Sequence, residues 1–389
     1  MEMRYTQYLL GDIFKLSAGG DLDKTTYSPF RTSKYCFPIY SNSIDNRGLY
    51  GFTTKYNYKG DSITITGRGN VGHAEYRSEN FDAIIRLLVL EPNADSIIDS
   101  KFVAEYINQC VQFPLESTGV PQLTVPQIKN IRIEVPEYEE QKKISNAISD
   151  IDKLISALKK QIQKKKLIKQ GVMQELLSGK RRLKGFSKEW KSFNLMSGSK
   201  IKARIGWQGL KKTEYLDSGY AFLVTGTDFV DGRVKWDTCH FVERERYNQD
   251  ENIQIKNGDI LVTKDGTLGK TAFVQGLTRP ATLNCGVFVI RPLQNAYDPE
   301  FVYHILSSFV FKEFLDKLSA GSTIVHLYQK DMSKFEFLLP PTLDEQKAIA
   351  AILSEMDEEI EKLEEKYEKY TAIKQGMMEQ LLTGKIRLV

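Results

Sequence analysis

The segment Gly67-Arg68-Gly69-Asn70-Val71-Gly72 fits the Gly-x-Gly-x-x-Gly pattern of a dinucleotide site and follows a β-rich run. Such a site needs a helix to open directly after the loop. His73-Ala74-Glu75-Tyr76-Arg77 lacks the helical period. A second copy, Lys264-Asp265-Gly266-Thr267-Leu268-Gly269, lacks the first glycine. It runs on into Lys270-Thr271 like a phosphate loop, but Lys264 stands where that loop requires glycine. Both segments therefore read as tight loops carrying exposed polar groups, and the four loop glycines Gly69, Gly72, Gly266 and Gly269 as backbone geometry. Metal-dependent cleavage could be imagined at Glu140-Gln141-Lys142, echoed at Glu345-Gln346-Lys347. Those residues open helices, where capping acids are expected. The four histidines (His73, His240, His304, His326) and four cysteines (Cys36, Cys110, Cys239, Cys285) show no ligand spacing. No Asn-Pro-Pro-Tyr methyltransferase motif occurs. The expectation is a chain with no catalytic residues, no metal and no cofactor of its own.

The elements that position these loops come in two copies. Lys169 to Leu183 returns as Lys374 to Leu388, ungapped at a shift of 205, with ten of fifteen positions identical. The same shift aligns Glu140-Gln141-Lys142 with Glu345-Gln346-Lys347, and Asp152 with Asp357. Between these stretches the correspondence is looser: Gly69 and Gly72 match Gly266 and Gly269 at 197. After Pro136 the apolar residues Ile144, Ile148, Ile151, Ile155, Leu158 and Ile162 follow coiled-coil spacing. The second seam is Ile349, Leu353, Met356, Ile360, Leu363 and Tyr367. Each helix should run roughly 50 Å at about 1.5 Å per residue. Pro136 and Pro340-Pro341 precede the helices, and Gly179 and Gly384 are natural stops. Mid-helix Gly171 and Gly376 each cost about 1 kcal/mol against Ala. Their presence in both copies favours close approach of another helix over a tolerated defect.

The remaining stretches carry short β-rich runs (Ser62 to Thr66, Ile84 to Leu90, Asp259 to Thr263, Val287 to Ile290) between Gly/Asn/Asp turns. Each also has one expected helix, near Lys101–Cys110 and Pro299–Phe314. The fold class expected is α+β. Two β-rich globular domains, 1–136 and 185–340, are separated by a two-helix antiparallel coiled coil, 137–184 and 341–389, in a pseudo-twofold internal repeat.

The overall charge of +4 conceals an uneven distribution. The two β-rich domains carry −1 and +2, the first helix +7 and the second −4. Opposite charge beside a common seam favours pairing of the two helices within one chain, antiparallel, with the globular parts at the ends of a rod. The longest apolar runs fall short of a membrane span, no secretory signal is read at the start, and scattered cysteines fit a reducing cytoplasm.

Two diverged domains, each followed by a near-identical helix opening Pro-x-x-x-Glu-Gln-x-x-Ile, resemble the specificity subunit of type I restriction-modification systems. Here the openings are Pro136 to Ile144 and Pro341 to Ile349, and the helix ends read Lys-Gln-Gly-x-Met to Leu-Leu-Ser/Thr-Gly-Lys. Gly258-Asp259-Ile260-Leu261 leading to Gly266-Thr267-Leu268-Gly269-Lys270 is similar to that family too, while the first domain departs at that lysine with His73. The resemblance covers the whole chain. It implies a non-catalytic reader in which each globular domain is a target-recognition domain for one half of a bipartite double-stranded DNA site. It implies docking of two methyltransferase subunits, which bind S-adenosylmethionine, and of restriction (motor-nuclease) subunits, which use ATP and magnesium. The competing readings are a free-standing coiled-coil DNA-binding scaffold or regulator, and an autonomous nuclease.

Base edges are read by Arg, Lys, Asn, Gln and acids, supported by hydroxyls and aromatics. In the first domain the candidates are Ser41, Asn42, Ser43, Asn46, Arg47, Arg68, Asn70, His73 and Gln122. In the second they are Thr225, Thr227, Asp228, Lys264, Asp265, Thr267, Lys270, Thr323, His326 and Tyr328. The helix-end candidates for partner docking are Gly171, Met173, Leu176, Gly376, Met377 and Leu381.

Overall fold

The computed structural model describes residues 5–113, 121–319 and 326–388. It divides into two compact units: residues 1–160 with 364–389, and residues 161–363. The division falls inside both long helices, so each unit combines one β-rich domain with segments of both.

In the first unit a four-stranded antiparallel sheet has the order Phe14–Ala18, Leu88–Pro92, Ser62–Ile65, Ala74–Arg77. All four residues of Ser62–Ile65 are buried, as a central strand covered on both faces requires. A second sheet runs Tyr27–Ser28, Leu49–Thr53, Phe37–Tyr40, Asp82–Ala83. The helix Ser100–Cys110 is started by Asp99, whose carboxylate accepts the Phe102 N–H at 2.7 Å. It packs Phe102, Val103 and Ile107 onto Ile63, Ile65, Leu88 and Leu90. Ile144 and Ile148 of the first long helix (Tyr138–Leu177) and Leu381 and Leu382 from the end of the second enter the same core. Each of these four aliphatic side chains contributes roughly 1.5–3 kcal/mol by leaving water.

The second unit repeats the plan. A six-stranded sheet runs Ser199–Ala203, Val287–Pro292, Ile260–Thr263, Thr271–Phe273, Arg233–Val234, Phe229–Val230, beside a three-stranded sheet. Leu176 and Leu177 of the first long helix, and Ile349 and Leu353 of the second (Leu343–Met377), join its core with Phe301 and Ile305.

Within each unit the helix segments run antiparallel and are tied by matched ion pairs. In the first unit Arg387 grips Glu140 and Lys374 meets Asp152 at 2.8 Å. In the second unit Arg182 grips Glu345, Lys169 pairs with Asp357, and Lys165 pairs with Glu359. Adding 205 carries Arg182 to 387 and Glu140 to 345, and likewise Lys169 to 374 and Asp152 to 357. The pairing is therefore reciprocal: a residue late in one copy meets one early in the other. Beyond Ile162 the seam positions of the first helix are taken by Lys165 and Lys169, and these ion pairs fill them.

The Glu-Gln at each helix opening has a structural duty. Gln141 Nε2 donates to the Pro136 carbonyl at 2.8 Å and its Oε1 accepts the Asp99 N–H at 3.0 Å. Gln346 does the same with the Pro340 carbonyl at 2.8 Å and the Asp298 N–H at 2.7 Å. With Glu140 and Glu345 held by arginines, none of these groups is left to hold a metal. Of the seam residues, Ile144, Ile148, Ile151, Leu158, Ile162, Ile349, Leu353 and Ile360 are buried. Ile155, Met356, Leu363 and Tyr367 are half-buried.

Three expectations are corrected. The helix expected over 299–314 breaks into Pro299–Leu306 and Phe309–Ser319. Ser308 makes the break, its hydroxyl donating to the Ile305 carbonyl and accepting the Val310 N–H. In the run Ile84 to Leu90 the strand begins only at Leu88, because Ile85 and Arg86 adopt left-handed φ of +57°. Gly171 and Gly376 are open: a Cβ on either would meet nothing within 4 Å, so no helix among the described residues of this chain approaches closely there.

Candidate nucleic-acid interface

The two glycine loops are built alike. Thr66 N donates to the His73 carbonyl at 3.0 Å, Gly72 N to the Thr66 carbonyl at 2.8 Å, and His73 N to Thr66 Oγ1 at 2.9 Å. Thr263 N meets the Lys270 carbonyl at 2.9 Å, Gly269 N the Thr263 carbonyl at 2.9 Å, and Lys270 N Thr263 Oγ1 at 2.9 Å. Each threonine hydroxyl also donates across the loop, to the Asn70 or the Thr267 carbonyl. Gly69 and Gly266 sit at φ +71°, the left-handed region this turn demands. Thr66 and Thr263 escaped the sequence reading, although they align at the same shift of 197 as the loop glycines.

What the shared frame presents differs. In the first domain Arg68 and Asn70 are exposed at the tip, and Arg68 Nη2 donates to Gln122 Oε1 at 3.3 Å. In the second domain Asp265 takes the place of Arg68, and its Oδ1 lies 2.7 Å from His326 Nδ1. Since a carboxylate accepts, the Nδ1 of His326 is the donor in this bond, and Nε2 is the ring nitrogen left over. Thr267 is exposed beside them. The Leu327 N–H donates to the Lys264 carbonyl at 3.0 Å, as the Leu123 N–H does to Gly67 at 2.9 Å. Lys264 Nζ lies 5.8 Å from the Phe288 ring centroid, Tyr328 is exposed, and Lys270 is half-buried.

The structure reassigns several candidates to internal work. Asn42 Oδ1 accepts the Gly67 N–H at 2.7 Å and its Nδ2 donates to the Ile85 carbonyl. Ser41 is buried under Gly48. Arg47 and His73 stay at the surface while bonding Glu75: the Arg47 side chain is 66% exposed with Nε donating to Glu75 Oε2 at 2.8 Å, and His73 Nε2 lies 3.2 Å from Glu75 Oε1. Burial alone would raise the Glu75 carboxyl, but the bonds from His73 and Arg47 outweigh it and hold it at about 2. Arg77, buried and lowered to about 10 by desolvation, lies 3.6 Å over the Tyr40 ring and completes this network. Asp228 is buried and saturated: it accepts from the Thr225 N–H and hydroxyl and from Thr238. That commits Thr225 as well, leaving Thr227 exposed. Ser43 and Asn46 are exposed in the 41–48 loop. Thr323 lies outside the described residues. Leu176 and Leu381 are core side chains of their units and offer no docking surface. Gly171 and Gly376 are exposed, Met173 and Met377 half-buried.

All four cysteines are free. Among the described residues no group of three or more His, Cys, Asp and Glu side chains is placed to hold a metal ion. No described helix is long and apolar enough to cross a membrane.

The family model for the type I restriction modification DNA specificity domain matches residues 4–169 and again 188–369. The chain belongs to that family. It is a DNA sequence-recognition subunit and is itself non-catalytic, as the helix openings and the duplication led one to expect. Among its relatives is the type I restriction enzyme MjaVIII specificity subunit of Methanocaldococcus jannaschii, 29% identical over 70% of this chain and 66% of that one. The putative type I specificity subunit S.MpnORF507P of Mycoplasma pneumoniae is 25% identical over 90% of this chain and 89% of its own length. The fold matches the crystal structure of a type I restriction-modification S subunit from M. genitalium with TM-score 0.69 and 16% identity, over 98% of this chain and 96% of that one.

Proposed function

We propose that this specificity subunit reads an asymmetric, bipartite double-stranded DNA site, one half with each β-rich domain, and docks methyltransferase and restriction subunits. The observation that carries the reading is the pair of glycine loops. Their bracing is the same, but one frame presents Arg68, Asn70 and Gln122 and the other Asp265, Thr267 and His326. Unlike side chains on a common frame suit two unlike half-sites. Near-identical helix ends suit two copies of one methyltransferase subunit, with the exposed helix surfaces at Gly171 and Gly376 as the docking ground. S-adenosylmethionine, ATP and magnesium would then belong to the partner subunits, and assembly would take place in the cytoplasm. Methylome sequencing tests this. Deleting the gene should abolish one bipartite methylated motif, and exchanging the first domain for another should change only one half of it. A methylome unaffected by deletion would sink the proposal.

A further inference from the structure

We infer that Ile85 and Arg86, on a strained turn of the first domain, are specificity-determining residues that contact bases in the half-site this domain reads. The inference rests on the DNA-reading function proposed above and adds a recognition element to it.

Ile85 and Arg86 both sit at φ +57°. Left-handed backbone is a genuine outlier for a β-branched residue and needs enforcement by its surroundings. The enforcement is complete. Ile84 N donates to the Tyr40 carbonyl at 2.9 Å, Ile85 N to Gly20 at 2.9 Å, Arg86 N to Gly19 at 3.1 Å and Leu87 N to Ile84 at 3.1 Å. Asn42 caps the Ile85 carbonyl. Gly19 allows this approach, since a Cβ there would stand 2.6 Å from the Ala83 carbonyl oxygen.

The fold does not require the strain. The second domain turns the same corner between Ala281–Leu283 and Val287–Pro292, with Asn284 N donating to the Val224 carbonyl at 2.9 Å where Ile84 N meets Tyr40. It uses Asn284-Cys285-Gly286, one residue fewer, and none of the three has positive φ. The extra residue and the strain are particular to the first reader. They serve to hold out two side chains. Ile85 is 47% exposed, and the Arg86 side chain is exposed with no hydrogen-bond or ionic partner among the described residues.

The turn also abuts the glycine loop. The Arg86 carbonyl oxygen lies 3.3 Å from the position of a Cβ on Gly67, and Asn42 bonds both the Ile85 carbonyl and the Gly67 N–H. The exposed residues Ile85 and Arg86 therefore stand on backbone that adjoins the loop bearing Arg68 and its partner Gln122. Their chemistry matches a base edge: arginines for guanine O6 and N7, glutamine for adenine, and an aliphatic side chain for the thymine methyl. A turn fixed by this many backbone bonds presents them with little entropy left to lose on binding.

The test uses the full chain expressed with its methyltransferase subunit, carrying Arg86→Ala or Ile85→Asn. Asn tolerates left-handed φ, so the second variant removes the aliphatic surface and relieves the strain together. Methylome sequencing should show altered preference at one or two positions in a single half of the motif, and about tenfold less methylation of the original sequence. The thermal midpoint of Ile85→Asn should stay level or rise. An unchanged motif with undiminished methylation in both variants would overturn the inference. So would equal loss of both halves, or a lowered midpoint in Ile85→Asn, either of which would make the turn a prop of the fold. A wild-type chain whose deletion removes no methylated motif would instead defeat the functional reading on which this one rests.

Discussion

Replacing Arg182 by Met should destabilise the second unit by about 3 kcal/mol. Glu345 is 1% exposed and accepts three hydrogen bonds, from Arg182 Nε at 2.7 Å, Arg182 Nη2 at 2.9 Å and Trp190 Nε1 at 3.2 Å. Two of these are charge-assisted bonds, worth about 1.5–3 kcal/mol each. Methionine keeps much of the arginine stem's volume but leaves a buried carboxylate with only the indole N–H. Breaking a buried pair from one side costs about 3–5 kcal/mol. The lower end applies because the Arg182 side chain is itself 26% exposed. The double variant Arg182→Met/Glu345→Gln buries no charge and keeps an acceptor for Trp190. It should lose less than Arg182→Met alone. Urea unfolding followed by tryptophan fluorescence, at constant m-value, measures wild type, Arg182→Met, Glu345→Gln and the double variant. A loss below about 1 kcal/mol in Arg182→Met, the range of an exposed pair, would refute the reasoning. So would a double variant that costs the sum of the two single changes.

The reciprocal pair in the first unit can be tested by charge exchange. Lys374→Glu should weaken that unit by placing like charge against Asp152, and adding Asp152→Lys should restore most of the loss, followed in urea by far-UV circular dichroism because the three tryptophans lie in the second unit. His304 is buried, and desolvation first, with the Lys169 charge second, lowers its pKa to about 3. The unfolded chain takes up this proton below about 6.5 while the folded chain resists it. The contribution is intact above pH 6.5 and falls by about 1.4 kcal/mol per pH unit down to about 3. Stability at pH 5 relative to pH 7 should therefore drop more in wild type than in His304→Asn, and equal drops would contradict the assignment. Thr263→Val removes the hydroxyl that braces Lys270 N and the Thr267 carbonyl. Hydrogen exchange at Lys270 should accelerate and methylation of the second half-site should fall, while the first half-site is read as before.

The repeat, the two long helices, their antiparallel pairing and the family were legible in the sequence. Each depends on local or periodic information: an ungapped self-match, a 4-3 apolar spacing, prolines before the helices and glycines after. The glycine loops were legible as loops because Gly69 and Gly266 stand where φ must be positive. What sequence could not reveal is how polar residues are spent. Asn42 and Asp228 have the chemistry of DNA readers, yet their hydrogen bonds go to Gly67 and Thr225, one distant in the chain and the other reached by a turn folding back. The Glu-Gln opening each helix looked like a cap and proved to be a clamp, because its partners, Arg387 and Asp99 in one unit and Arg182 and Asp298 in the other, arrive through the tertiary fold. The Ile84 to Leu90 run carried a strand's composition, and only long-range bonds to Gly19 and Gly20 bend it into a left-handed turn. Periodicity fixes what a segment buries, since burial follows spacing along one element. Which polar atoms remain for a ligand is settled when distant elements meet and satisfy one another first.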